Sequence, residues 1–227
     1  ASRKAWTNAP GAGWEVVGLE PTERSWRVAV EEFELDVIPE LFRDDHFPDD
    51  HFDVVTMWHT LEHIPDPVQV VQAICDWLVP GVMVVIAVPN YDSFQARLGR
   101  DLWFQLDPPH HLYHFTPGTA TRLLATCGFA DPATHFFYPE LNEFSMIQTA
   151  LNRLGFSPNL LFNLLKRNRA GLPPSRSALA LNLIGAVAFL GITWPALLLM
   201  TQVEQWLGRG GTMVLAARKP CEARRVS

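Results

Sequence analysis

A chain of 227 residues with 48% hydrophobic and 19% charged residues has apolar sequence enough for one sizeable domain and an appendage, which argues against a disordered chain. Its net charge of −6 is unevenly spread: residues 1–149 hold 8 basic and 22 acidic side chains, residues 150–227 hold 10 and 2. The acidic body argues against nucleic acid as the main partner, and the basic, apolar second part suits an anionic membrane surface.

In chain order, Trp14–Glu20 reads as a short buried strand with an acid at its end. A helix follows in "TERSWRVAVEEF", where Trp26, Val30 and Phe33 share a face. Leu35–Ile38 is a short strand. Phe52–Trp58, "FDVVTMW", is an apolar strand entered through the polar loop "DDHFPDDH". Pro67–Leu78 is a helix, with Asp66 as N-cap, Pro67 at its first position, and Val70, Val71, Ile74 and Leu78 at helical spacing. Pro80–Asn90 is a Pro-Gly turn, a buried strand and a stop. Thr116–Phe129 is a helix capped by Thr116 and ended by Gly128. Thr134–Tyr138 and Thr212–Lys219 are further strands. Alternation of this kind predicts an α/β fold with a mostly parallel sheet, covered on both faces. Ligands of such sheets bind beyond the carboxyl ends of the strands, which places Glu20, the loop Trp58–His63 and the loop after Pro89 on one rim.

The string His59-Thr60-Leu61-Glu62-His63 matches H-x-x-E-H, a zinc-protease pattern. That chemistry needs a helix, so that both histidines share one face. Here a strand runs directly into His59, and Pro65 and Pro67 follow His63, so a helix is not expected. A third ligand would have to be Glu140 or Glu143. No metal site is assigned, and Glu62 and His63 are expected to shape the loop by satisfying backbone groups. The scattered cysteines, Cys75, Cys127 and Cys221, form no C-x-x-C pair and suggest neither a disulfide framework nor a thiolate zinc site. They fit a reduced, cytosolic compartment.

Four segments in this order, "VVGLEP", "FPDDHFDVVTMWHTLEHIPDP", "LVPGVMVVIAVPN" and "LDPPHHLYHFTPGTATRLLATCGF", resemble class I S-adenosylmethionine-dependent methyltransferases, in particular the ubiquinone-biosynthesis O-methyltransferase-like branch. The likeness runs from about Trp14 to Phe129 and resumes at "GRGGTMVLAARK". It implies a Rossmann-like methyltransferase sheet, S-adenosyl-L-methionine as cofactor, and a small-molecule or lipid-like acceptor. By the same resemblance Glu20 accepts hydrogen bonds from the ribose hydroxyls, which suits an acceptor-only carboxylate. Asp44 lies near the adenine amino group, Phe42 and Arg43 flank the ring, and Met57, Trp58 and His59 border the methionine end. His110, His111 and His114, beside Tyr113, are the acceptor-side candidates, because a neutral imidazole can remove a hydroxyl proton. A hydrogen-bonded loop cluster is the alternative for these three histidines.

The family opens with a strand and a glycine-rich loop that this sequence does not display. Gly11-Ala12-Gly13 precedes a strand, whereas the fingerprint follows one. Without that first, central strand, the second and fourth strands of the family lose a hydrogen-bonding neighbour. With Ala1 in place of Met, this predicts a fragment, a displaced start or a decayed copy. A second departure is the uncharged run Ser177–Val203, long enough to cross a membrane and preceded by Lys166, Arg167, Arg169 and Arg176. A strand that must rejoin the sheet follows it, so a single crossing is excluded. Gly191 and Pro195 are expected to break the run into two half-helices within one leaflet, and "FSMIQTALNRLGFSPNLLFNLLK" to lie in the interface. A buried helical subdomain or dimer interface is the alternative.

The expected organisation is a partial methyltransferase domain over residues 1–140, an apolar helical insertion over 141–208, and a last strand with a basic tail over 209–227. The expected function is O-methylation of a small or lipid-linked acceptor by a cytoplasmic protein held peripherally or monotopically at the inner face of the membrane. A non-catalytic remnant is the second reading and a zinc hydrolase the third.

Overall fold

The computed structural model describes residues 13–221, apart from the side chain of Glu140. Gly11 and Ala12 lie outside the described residues. Strand β1 (Val17–Leu19), helix α1 (Glu23–Glu31) and strand β2 (Asp36–Ile38) form one unit, with β1 and β2 parallel and Val17 opposite Asp36. Only three residues of the expected Trp14–Glu20 strand pair. The Trp26 indole donates to the Val37 carbonyl at 3.0 Å and pins α1 to this pair.

The main sheet has the order β3-β4-β6-β5. Strand β3 (Phe52–Trp58) coincides with its sequence run. Helix α2 (Pro67–Trp77) follows, and the Asp66 carboxylate accepts from the Gln69 amide at 3.0 Å as expected of an N-cap. Strand β4 (Leu78–Pro89) runs parallel to β3, a pairing that a helical crossover permits. The expected Pro80-Gly81 turn is instead an excursion within β4: Phe52 faces Leu78 and Val54 faces Met83, so five residues pass against two. Gly81, at φ +89°, supplies the left-handed conformation this requires.

Helix α3 (Phe94–Gly99) leaves the end of β4, and helix α4 (Pro117–Thr126) leads into β5 (Ala130–His135), which begins earlier than the sequence suggested. Thr116 and Thr119 cap α4 reciprocally. Strand β6 (Thr212–Arg218) is antiparallel to both β4 and β5. Three of the four strands therefore point one way, and β6 alone is reversed. The core beneath α2 and α4 is built by Val70, Val71, Ile74, Leu78, Ile86 and Leu124. Among the described residues β1 pairs only with β2 and β3 only with β4.

Helices α5 (Pro139–Arg153), α6 (Leu160–Leu165) and α7 (Arg176–Trp206) form a second body between β5 and β6. Its core gathers Met146, Ile147, Leu151, Leu160, Ala186 and Leu197. Two expectations are corrected here. Helix α5 is buried from Ser145 to Asn152, because its polar side chains bond inward: Gln148 Oε1 accepts from the Leu161 amide and Asn152 donates to the Leu102 carbonyl. Helix α7 is one helix of 31 residues, unbroken at Gly191 and Pro195. Pro195 forfeits one backbone hydrogen bond, but Leu183, Leu190 and Leu197 pack on α5 and α6 from both sides of it.

Buried amides tie the end of α7 to the sheet. Gln95 on α3 donates to the Glu204 carboxylate and to the Asn142 carbonyl, and the Asn142 side chain accepts from the Thr212 amide at 2.7 Å. Burial pushes the Glu204 carboxyl up to about 8.

Candidate active site

Beyond the carboxyl ends of β3 and β4, the His59 amide donates to the Ala87 carbonyl at 2.9 Å. His59 adopts φ +50°, and only Leu61–His63 form a turn of 3-10 helix. The two histidines of H-x-x-E-H therefore share no helix face, and the zinc-protease reading of the string is corrected. A second loop clamps onto this turn. The Leu112 amide donates to the Glu62 carbonyl at 2.8 Å, and the Tyr113 hydroxyl to the Pro65 carbonyl at 2.9 Å.

This clamp separates the three acceptor-side histidines. His111 turns inward, with its Nδ1 2.8 Å from the Gln105 carbonyl oxygen. Because a carbonyl only accepts, Nδ1 carries the proton and Nε2 keeps its lone pair. Burial lowers the His111 pKa below that of a free imidazole, so the ring is neutral at pH 7. His110 points to solvent, its Nδ1 3.4 Å from Asp107 Oδ1. His114 stacks on Tyr91 with ring centres 5.2 Å apart, and burial lowers its pKa also. A cavity of about 160 Å³ opens beside His111, walled by His59, Phe104, Gln105, Leu141 and Phe162. Its far wall thus comes from α5 and α6.

Glu62 is the residue that sequence reasoning undervalued. Its side chain is wholly buried, and neither carboxylate oxygen has a hydrogen-bond partner among the described residues. His59 Nδ1 stands 3.3 Å from Oε1 and His111 Nε2 3.9 Å from it. His63, as expected, satisfies a backbone group: its Nδ1 donates to the His110 carbonyl at 3.0 Å. The signal was present in the H-x-x-E-H string, but its second histidine partner lies on the other loop.

The cofactor-side candidates are more dispersed. Glu20 follows β1; its amide donates to the Ile38 carbonyl at 3.1 Å, and its carboxylate accepts from the Thr22 amide, 2.8 Å from Oε1. Its carboxylate is otherwise free to accept, which fits a ribose diol. Asp44 lies on an exposed loop, with Oδ2 3.5 Å from Gln69 Nε2. Phe42 packs on Trp77 at 5.5 Å, and Arg43 is held by Asp45 at 2.9 Å. Met57 packs on the main core, and Trp58 stacks on Tyr138 at 6.0 Å.

A family model described as a methyltransferase domain matches residues 7–133. The ubiquinone biosynthesis O-methyltransferase of Shewanella sp. (strain ANA-3) is 43% identical over 51 residues, which cover 22% of this chain and 21% of that protein. The match thus spans about a fifth of this curated relative. Among solved structures, a SAM-dependent methyltransferase from Archaeoglobus fulgidus superposes with a TM-score of 0.54 at 17% identity, covering 93% of this chain and 79% of that one. The phosphoethanolamine N-methyltransferase 2 of Haemonchus contortus, solved with S-adenosyl-L-methionine, gives 0.55 at 15% identity, covering 95% and 46%. At these identities the structural likeness speaks for the fold. The family model covers more than half of the chain and the α/β architecture agrees with it: the chain belongs to the methyltransferase-domain family.

Proposed function

We propose that this chain O-methylates a hydroxyl of a small or lipid-linked acceptor at an anionic membrane surface. The observation that carries the reading is the position of the cavity, with His111 on one side and the α5–α6 wall on the other. That wall is backed by α7, whose outward face exposes Leu181, Ile184, Val187, Ile192, Leu199 and Trp206. No charged residue interrupts Ser177–Val203. An uncharged apolar face of this length exceeds what a surface facing only water carries. At 31 residues α7 is about 46 Å long. Strand β5 precedes the helical body, β6 follows it, and the two pair, which supports a helix lying along the membrane rather than crossing it. Lys166, Arg167 and Arg169 ahead of the helix and Arg176 at its first position suit anionic headgroups of the inner, cytoplasmic face.

The cofactor supplies an electrophilic methyl group on a sulfonium. Glu20 would accept from its ribose, Asp44, Phe42 and Arg43 would border the adenine, and Met57, Trp58 and His59 the methionine end. An acceptor hydroxyl in the cavity meets the His111 Nε2 lone pair, which draws the proton away as the oxygen attacks the methyl carbon. When bound, the cofactor would give up that methyl group and keep the electron pair of the S–C bond on sulfur. Alignment of oxygen, carbon and sulfur supplies much of the rate. His110 and His114 are left to shape the loop.

One observation favours a second reading. The hydrogen bonding of the strands stops between β1 and β3, so the rim that would hold the cofactor is divided among the described residues. A chain that keeps acceptor and membrane binding without methyl transfer fits that division. Incubation with methyl-deuterated S-adenosylmethionine and a membrane lipid extract, read by mass spectrometry, tests the proposal. Label in a methyl ether of a lipid or a small hydroxyl compound is expected. Label on nitrogen, or none, overturns it.

A further inference from the structure

Gln105 sits in one turn of 3-10 helix, Phe104–Leu106, at 4% exposure. Neither its Oε1 nor its Nε2 has a hydrogen-bond partner among the described residues. The turn that carries it is firmly held. The Phe104 amide donates to Thr149 Oγ1 at 3.1 Å, and the Leu106 amide to the Trp103 carbonyl at 3.1 Å. The Gln105 carbonyl accepts from His111 Nδ1 at 2.8 Å. The backbone is thus bonded on both sides of a side chain that is not. Burying a carboxamide without partners is costly, so a donor and an acceptor left open together call for a ligand.

Gln105 is one of the residues that wall the cavity of about 160 Å³. The other walls differ in chemistry. Phe104, Leu141 and Phe162 are apolar, and Phe104 and Phe162 meet edge to face with ring centres 5.4 Å apart. His59, Asp107 and His111 are polar, and His59 Nε2 is also buried and unpartnered among the described residues. Open hydrogen-bonding atoms beside an aromatic pair suit a small acceptor with a flat apolar body and a polar group.

We propose that Gln105 determines acceptor specificity by pairing with a primary carboxamide on the acceptor. This deepens the O-methylation reading and rests on it for the reacting hydroxyl. A glutamine amide presents a donor and an acceptor side by side in one plane. A primary carboxamide presents the same two in reverse order, so the pair forms two parallel hydrogen bonds. A ketone offers no donor and leaves Gln105 Oε1 unmet. A carboxylate lacks the donor too, and brings negative charge to a cavity that Asp107 already lines. A single hydroxyl oxygen cannot bond both atoms in line. With the carboxamide held by Gln105, the acceptor's hydroxyl is left for His111, whose ring is fixed by the carbonyl of the same residue. Gln105 thereby positions both the acceptor and the base that serves it.

The test is calorimetric titration of the full chain with 3-hydroxybenzamide, 3-hydroxyacetophenone, 3-hydroxybenzoate and resorcinol, repeated with Gln105→Met. Methionine keeps the length of the side chain and removes both polar atoms. The parent chain should bind 3-hydroxybenzamide at one per chain and at least about tenfold tighter than the other three, because a buried polar group left unpaired rejects the analogue. In Gln105→Met that preference should fall below about twofold. Thermal melts establish that the variant is folded, and the ranking by the parent chain decides alone if it is not. A structural role alone would leave the ranking unchanged in the variant. Equal binding of the four by the parent chain, the same ranking in folded Gln105→Met, or no binding of 3-hydroxybenzamide by the folded parent chain overturns the proposal. Amide-selective binding without methyl transfer keeps it and loses the proposed function. Transfer to the hydroxyl of 3-hydroxyacetophenone as fast as to that of 3-hydroxybenzamide does the reverse.

Discussion

The Nδ1 of His59, which lines the cavity between sheet and helices, lies 3.3 Å from Oε1 of Glu62, three residues further on. His59 Nε2 and both Glu62 oxygens have no hydrogen-bond partner among the described residues. A buried carboxyl group with neither oxygen hydrogen-bonded destabilises the fold unless a ligand compensates it. In metal-free buffer Glu62→Gln should therefore be more stable than the parent chain, by about 1–3 kcal/mol. Chemical denaturation with a chelator present checks this. A less stable variant would mean that the carboxylate is already compensated.

Glu204 makes stability depend on pH. Its carboxyl ionises at about 8 in the fold, against an ordinary value of 4.5, because burial disfavours the charge. The folded state therefore holds a proton that the unfolded state releases between these values. Stability is full below about pH 4.5, falls as pH rises towards about 8, and is flat in this group above it. Glu204→Gln should remove that slope, melting near the parent chain at pH 5 and above it at pH 8.5. Parallel melting curves across this range would contradict the assignment.

Helix α7 sets the membrane prediction. Replacing Ile184 and Ile192, both exposed on its outer face, with Asp should lower flotation with phosphatidylglycerol-containing vesicles by at least about tenfold. The circular dichroism spectrum should not change, since neither side chain supports the core. Equal flotation of parent chain and double variant would detach α7 from membrane binding.

Packing between α3 and the helical body is tight at Gly99. A Cβ there would lie 2.7 Å from both Trp103 Cβ and Thr149 Cγ2. Gly99→Ala should cost about 1–3 kcal/mol of stability, through overpacking of side chains that cannot swing away. A denaturant midpoint equal to that of the parent chain would show that this junction yields.

Local chemistry in the sequence anticipated local structure well. The β-branched run from Phe52 to Trp58, the Asp66 cap and the Thr116 cap all sit where neighbouring residues decide the outcome. Pro195 failed as a helix breaker because packing by residues far along the chain outweighed one missing hydrogen bond. The burial of Glu62 was illegible for a related reason. It depends on Leu112 and Tyr113 folding back over the turn, some 50 residues later. The bonding of Glu204 and Gln95, 109 positions apart, carries no sequence pattern at all.

The central claim, a working cofactor rim in this chain, is tested most directly by titrating S-adenosylhomocysteine into the folded chain in a calorimeter. Saturable binding at one per chain is expected, weakened at least about tenfold by Glu20→Ala, since a ribose diol loses a charged acceptor. No binding by the folded chain, or binding unaffected by Glu20→Ala, would contradict it.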